Sequence, residues 1–183
     1  MRVAALILAC LPLHALADAR AGEEKAQLCL FCHKEGAELR FTPLLERQPA
    51  NYLVATIMAF KTGERKASGS GMNTNVANLS QADIRDISDY FASKPLPPRN
   101  QTLDPAKIAA GEKIVGEMKC AACHMSTFHG AGAVPRLAAQ KQPYLVWQLE
   151  AFRGGRRSHP LGTSILKDGA DVESAASYFA SLP

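Results

Sequence analysis

Aromatic residues are scarce in this chain of 183 residues, making up 7% of it against a hydrophobic fraction of 47%. The chain can bury cores, but it has few large rings to fill them. Long apolar runs are lacking after the first residues, and since a membrane span needs about 20 apolar residues, we expect no later membrane helix. No strong charge excess is present either. The formal net charge of +4 gives no indication of a nucleic-acid partner.

Cysteines are few as well, and all of them are accounted for. Cys10 lies in the first apolar stretch, and the other four form two C-x-x-C-H motifs. The motif residues are Cys29, Cys32 and His33 in the first half and Cys120, Cys123 and His124 in the second. No cysteine is left over for a structural disulfide or a free thiol.

C-x-x-C-H is the attachment signature of a c-type haem. On a helix, Cys29, Cys32 and His33 stand at positions i, i+3 and i+4, so their side chains share one face. Two thiols can then form thioether bonds to one haem while the imidazole binds its iron. A four-thiolate zinc site, a redox dithiol and a disulfide are the alternatives, but none needs a histidine after each second cysteine. Two covalent haem c groups would also supply the large apolar core groups that the few aromatics do not.

The N-terminal residues read as a secretory signal peptide over 1–17, with Arg2 as its basic region and Ala15-Leu16-Ala17 as its cleavage site. Its apolar stretch is too short for a membrane anchor. Attachment of haem c takes place outside the cytoplasm, which agrees with export. We therefore predict a soluble periplasmic protein without a membrane span in its mature form.

The two halves of the chain repeat each other. In the middle helix of each half, Tyr52 corresponds to Tyr144 and Phe60 to Phe152 at an offset of 92 residues. The last helices correspond at an offset of 88, so the second half has lost four residues between them. Ser80 is predicted to cap the last helix of its half.

A proline-rich linker that cannot continue a helix separates the halves. We predict domains over 18–94 and 105–183, with the linker at 95–104. Gly22 and Gly111 precede the two motifs, either because another helix crosses closely there or as ordinary N-terminal residues.

A proline follows each motif, Pro43 in the first half and Pro135 in the second. The carbonyl of each proline could accept a hydrogen bond from the second ring nitrogen of the motif histidine. A plain turn is equally compatible with the sequence.

The loop before the last helix should supply the second axial ligand of each haem. In the first half this loop holds Met72 among glycines, where a thioether ligand explains it better than core packing. The second half lacks a methionine there and places His159 one position before the residue aligned with Met72. His159 is therefore the predicted distal ligand. A propionate-binding or surface role for His159, ligation by His129, and an open five-coordinate iron remain as alternatives.

Three arginines, Arg153, Arg156 and Arg157, lead into the loop of His159. They fit a solvated helix end, where the helix dipole favours cations. They fit equally well a role in binding haem propionates or in steering an acidic redox partner.

Both motifs, the Tyr-to-Gly middle helices, the Met72 loop before Leu79-Ser80 and the terminal Tyr-Phe pairs resemble the dihaem cytochrome c4 family and the dihaem subunit of flavocytochrome c. The resemblance implies an all-α fold of two tandem class I cytochrome c domains with facing haem propionates. It also implies an electron carrier rather than an enzyme. Family members similar in design carry methionine on both irons, and His159 departs from that pattern.

We therefore predict a periplasmic dihaem cytochrome with His/Met ligation at haem 1 and His/His ligation at haem 2. It would carry single electrons from a dehydrogenase or quinol-oxidising complex to an acceptor such as a terminal oxidase. The alternatives are an enzyme or gas sensor with an open second iron and the cytochrome subunit of a larger oxidoreductase complex.

Overall fold

The computed structural model describes residues 21–34, 39–66, 71–96, 98 and 101–183. The predicted signal peptide lies outside the described residues, as do residues 67–70 of the loop before Met72 and three positions of the predicted linker.

The first half of the chain is built from helices. Residues 21–25 are helical and lead into the first motif. The helices that follow are α1 (Gln27–His33), α2 (Ala50–Thr62), α3 (Met72–Val76) and α4 (Gln81–Ser93). The helix α2 ends at Gly63, which adopts the left-handed conformation that glycine tolerates.

The second half repeats this order, with a longer first helix and a 3-10 helix in place of α3. Its helices are α5 (Pro105–Glu117), α6 (Ala121–His124), α7 (Gln142–Arg153), a 3-10 helix (Gly162–Ile165) and α8 (Gly169–Ser181). Within the described ranges there is no strand, and one isolated bridge joins Ala131 to Val134. The predicted all-α fold is confirmed. None of the helices in these ranges is long and apolar enough to cross a membrane.

The last helix of each half begins with a side-chain cap. Ser80 accepts a hydrogen bond from the backbone N–H of Asp83, whose carboxylate accepts one from the Ser80 backbone N–H in return. Asp168 caps α8 through the N–H groups of Ala170 and Asp171. The predicted cap at Ser80 is confirmed, and such caps stabilise a helix by about 1 kcal/mol.

Each half has a hydrophobic core of its own. In the first half the core groups Leu53, Ile87 and Phe91 around the residues before the first motif. The second core groups the loop residue Phe128 with residues of α5, α7 and α8, among them Val115. Two separate cores agree with two tandem domains, while the boundaries at 94 and 105 stay a prediction.

A close helix crossing places the motif in each half. The α carbon of Gly111 in α5 lies against the backbone of Ser174 in α8, and a Cβ there would stand 2.8 Å from the Cβ of Tyr178. In the first half, Gly22 meets Asp86 and the Cβ of Tyr90 in the same way. Of the two interpretations that the sequence left open, the structure shows the close crossing, and glycine is required because any side chain would collide with the opposite backbone.

Candidate functional site

The first motif lies on α1 with its histidine pointing into the protein. His33 is 6% exposed, and its Nδ1 lies 2.8 Å from the carbonyl oxygen of Pro43. Donation from Nδ1 to this carbonyl leaves the lone pair of Nε2 free for a metal. Burial lowers the pKa of His33, which favours the neutral form that ligation requires.

The second motif has the same arrangement on a shorter helix. Cys120 begins the turn, and its carbonyl accepts a hydrogen bond of 3.1 Å from the backbone N–H of His124. The Nδ1 of His124 lies 3.0 Å from the carbonyl oxygen of Pro135, and burial lowers the pKa of its imidazole. Of the two interpretations that the sequence left open for these prolines, the structure shows the hydrogen bond to the motif histidine in both halves.

The thiols do not form the sites that rival interpretations require. No cluster of three or more His, Cys, Asp or Glu side chains able to hold a metal occurs in the described part of the chain, so a four-thiolate site is not formed. Burial raises the pKa of the Cys29 and Cys120 thiols, whereas reactive dithiols depend on a lowered pKa.

These residues fit a covalent haem. Each half offers two free cysteines one turn apart. Next to the second cysteine is an imidazole whose Nδ1 is hydrogen-bonded to a proline carbonyl. Metal-ligating histidines ordinarily have such a partner for their second ring nitrogen. The cysteines would form the thioether links, and His33 and His124 would be the proximal ligands. A haem held in this way supplies an iron that takes up and gives up one electron.

The predicted distal ligand of the first half, Met72, begins α3 and is half-buried. The next residue fixes this turn, because Asn73 Nδ2 donates to the carbonyls of Phe60 at 2.6 Å and Arg65 at 2.9 Å. The start of α3 is thereby tied to the end of α2, although residues 67–70 of the same loop lie outside the described residues.

The predicted distal ligand of the second half, His159, has its ring near that of His124. The two ring centroids are 6.5 Å apart, and the ring planes differ by 6°. With metal–nitrogen bonds of about 2 Å, two imidazoles on opposite sides of one metal have centroids about 6 Å apart. The observed separation of 6.5 Å is close to this value.

Aromatic packing and burial both act on the His159 ring. The Phe152 ring packs against it edge to face at a centroid distance of 5.0 Å. Burial lowers the pKa of His159, and repulsion from a protonated His124 and from Arg157 lowers it further, which favours the neutral imidazole. The Nδ1 of His159 accepts a hydrogen bond of 3.1 Å from the Leu161 N–H.

The other histidine considered for this role lies elsewhere. His129 is half-buried, and its Nε2 lies 3.0 Å from the carbonyl oxygen of Pro183 at the C-terminus. This contact joins the loop after the second motif to the end of α8.

Two arginines cross between the halves. The Arg157 guanidinium donates to the Tyr52 hydroxyl at 3.4 Å, and Arg65 donates to the Tyr144 hydroxyl at 3.4 Å. Both also donate to Gln148 Oε1, at 2.5 and 3.1 Å. In the part of the chain that the structure describes, neither is ion-paired with a carboxylate. Two half-buried guanidinium groups without a carboxylate partner in the described residues therefore lie at this boundary.

The arginines singled out in the sequence have different partners in the structure. Arg157 points toward the domain boundary, whereas Arg153 pairs with Glu150 one turn back on α7 at 2.9 Å. Sequence reasoning missed Arg65, which stands 92 residues before Arg157 and mirrors it. The internal repeat was the signal that could have found it.

Comparison with known proteins agrees with this geometry. The family model for cytochrome c matches residues 108–178. Cytochrome c4 from Pseudomonas aeruginosa is 31% identical over 92% of this chain and 90% of its own length. The crystal structure of cytochrome c4 from Pseudomonas stutzeri superimposes with a TM-score of 0.78 at 28% identity, covering 90% of this chain and 98% of that one.

A thiosulfate dehydrogenase structure from Marichromatium purpuratum is also similar. It gives a TM-score of 0.74 at 27% identity and covers 91% of this chain but 40% of its own length. The likeness of this chain to cytochrome c4, in contrast, extends over nearly the whole of both proteins. The chain belongs to the cytochrome c4 family and is a dihaem electron-transfer cytochrome with two tandem cytochrome c domains and covalently bound haem c.

Proposed function

We propose that this protein carries single electrons in the periplasm through two haems with different axial ligands. Haem 1 is bound by His33 and Met72, and haem 2 by His124 and His159. The donor is a dehydrogenase or a quinol-oxidising complex, and the acceptor is an enzyme such as a terminal oxidase. The observation that carries the proposal is the opposition of the His124 and His159 rings across 6.5 Å.

Ligation of the iron by His159 requires one particular tautomer of its ring. Coordination through Nε2 requires the proton on Nδ1, whereas Nδ1 accepts from the Leu161 N–H in the structure. Binding of the iron must therefore exchange this hydrogen bond for one in which Nδ1 donates. The exposed loop around Leu161, which is itself 45% exposed, allows water to accept from Nδ1.

The two ligand sets give the electron a direction. Methionine ligation raises the reduction potential of a haem relative to two histidines. Haem 2 therefore lies below haem 1, and electrons pass from the second domain to the first. A spectroelectrochemical titration in which haem 1 titrates at or below haem 2 would contradict this order.

Low-temperature EPR of the oxidised protein tests the ligands directly. The wild type should show two low-spin ferric signals, of His/Met and His/His type. His159→Ala should convert the second signal to a high-spin form that binds carbon monoxide once reduced, with the first unchanged. His129→Ala is the matched control and should leave both signals as they are.

The same experiment separates the alternatives. A high-spin component in the wild type would indicate an open second iron and favour an enzyme or gas sensor. Loss of the second low-spin signal in His129→Ala, with His159→Ala unchanged, would assign the distal ligand to His129.

A second candidate function is that of the cytochrome subunit in a larger oxidoreductase complex. The fold similarity to part of a thiosulfate dehydrogenase structure favours it. Purification from its source under mild conditions would decide between the two. A stable stoichiometric complex with a dehydrogenase would support the subunit role, and a monomeric cytochrome would support the free carrier.

A further inference from the structure

The peptide group that holds the first proximal histidine is itself held by the second domain. The carbonyl of Pro43 accepts from His33 Nδ1 at 2.8 Å. The N–H of the same peptide group, which belongs to Leu44, donates to Gln140 Oε1 at 2.8 Å. Gln140 Nε2 donates in return to the Leu44 carbonyl at 2.9 Å. A chain of hydrogen bonds thus runs from His33 through one peptide group to a glutamine of the other domain.

The mirror image of this chain exists in the other direction. The carbonyl of Pro135 accepts from His124 Nδ1 at 3.0 Å, and the N–H of the same peptide group, from Arg136, donates to Gln48 Oε1 at 2.9 Å. Gln48 Nε2 donates to the Arg136 carbonyl at 3.0 Å. Gln48 and Gln140 lie 92 residues apart, the offset of the internal repeat.

The two glutamines and the two residues whose backbone they bind are shielded from water. Gln140 is 1% exposed, Gln48 5% and Leu44 4%. A buried amide N–H without a partner is costly, so the glutamines satisfy a need that water cannot meet here. In a low-dielectric interior, linked hydrogen bonds also polarise one another, so the bond at one end of a chain responds to the bond at the other.

We propose that each glutamine tunes the reduction potential of the haem in the opposite domain. By accepting from the peptide N–H, Gln140 increases the negative charge on the Pro43 carbonyl oxygen. The hydrogen bond that His33 Nδ1 donates to this oxygen becomes stronger. The imidazole is then a more basic ligand, and ferric iron is favoured over ferrous. Gln140 thereby lowers the potential of haem 1, and Gln48 lowers that of haem 2 through His124. The inference rests on the proposed function, since it takes His33 and His124 as proximal ligands.

The test exchanges each glutamine for methionine, which keeps the length of the side chain and removes the amide. Gln140→Met should raise the potential of haem 1 and leave haem 2 unchanged, and Gln48→Met should do the reverse. The expected shift is a threefold to tenfold change in the reduction equilibrium, about 30 to 60 mV at the ~59 mV per tenfold of a one-electron couple. The Nδ1–H proton of the affected histidine should also move upfield in NMR spectra as its hydrogen bond weakens.

A matched control variant is available in the same region. Gln101 Nε2 donates to the Gln140 carbonyl at 3.1 Å, and its Oε1 accepts from the Gln142 N–H at 2.7 Å. Gln101→Met therefore removes a similar pair of side-chain-to-backbone hydrogen bonds without touching a peptide that holds a histidine. Both potentials should stay as in the wild type.

A second variant covers the case in which Gln140→Met does not fold. Gln140→Glu keeps an acceptor for the Leu44 N–H, and the potential of haem 1 should stay at or below the wild-type value. The proposal is overturned if the shift occurs in the domain that carries the substitution, if Gln101→Met shifts the potentials equally, or if no variant changes either potential. Failure of the proposed function is visible beforehand, because wild-type EPR would then lack two low-spin haems.

Discussion

Replacing Gly111 by alanine tests whether the helix crossing of the second domain is as close as the structure has it. A Cβ on Gly111 would collide with the backbone of Ser174 and stand 2.8 Å from the Cβ of Tyr178. Backbone atoms in the middle of α8 cannot move aside, so the helices must separate. Overpacking of this kind costs about 3 kcal/mol. The gain in helix propensity from glycine to alanine recovers about 1 kcal/mol, which leaves a net loss of about 2 kcal/mol.

Gly116, on the same helix, provides the control. It is exposed, and a Cβ there would meet nothing within 4 Å, so Gly116→Ala should stabilise the protein by up to about 1 kcal/mol. Urea unfolding followed by far-ultraviolet circular dichroism should place the two variants on opposite sides of the wild type, about 3 kcal/mol apart. Equal stabilities, or a more stable Gly111→Ala, would refute the close crossing.

Three further predictions concern a loop, a carboxylate and a cap. Gly130→Ala should shift the potential of haem 2, because a Cβ there would meet the carbonyl that orients the proximal histidine; Gly132→Ala, also at positive φ but in open space, should leave it unchanged. A hydrogen bond from Lys25 holds the pKa of the Asp83 carboxyl below its usual value, so the stabilisation is present above about pH 4 and lost as the pH falls further. The loss of stability between pH 7 and pH 3 should therefore be smaller in Asp83→Asn than in the wild type, measured by urea unfolding. Asp168→Ala should cost about 1 kcal/mol in the same assay, and Asp168→Asn much less.

Local features were accessible from the sequence because short-range geometry determines them. The C-x-x-C-H spacing predicted which side chains share a face, and the hydrogen bonds of His33 and His124 to proline carbonyls were among the possibilities that the sequence offered. The cap at Ser80 follows from a polar residue at a helix start. In each of these cases the interacting residues lie within about a dozen positions of one another.

Contacts between the domains were not accessible in this way. Gln140 reaches Leu44 across 96 positions, and Arg65 reaches Tyr144 across 79. Such contacts depend on how the two folded domains pack against each other. Neither the spacing of apolar residues nor the turn residues of the sequence indicate that orientation. The repeat offset brought Tyr52 into alignment with Tyr144, but it could not tell that each tyrosine would meet the arginine of the other half.

The exchange of glutamines between the halves also bears on how the duplicated chain can evolve. The first half does not itself supply the acceptor for its Leu44 N–H, and the second depends on Gln48 for its Arg136 N–H. A substitution of either glutamine therefore leaves a buried N–H of the other half without its acceptor. The two halves cannot change independently at Gln48 and Gln140. Side chains can still diverge where these contacts use only the backbone, as Leu44 and Arg136, which occupy matching positions, show. Because of these reciprocal contacts, selection acts on the two halves of the duplicated chain together.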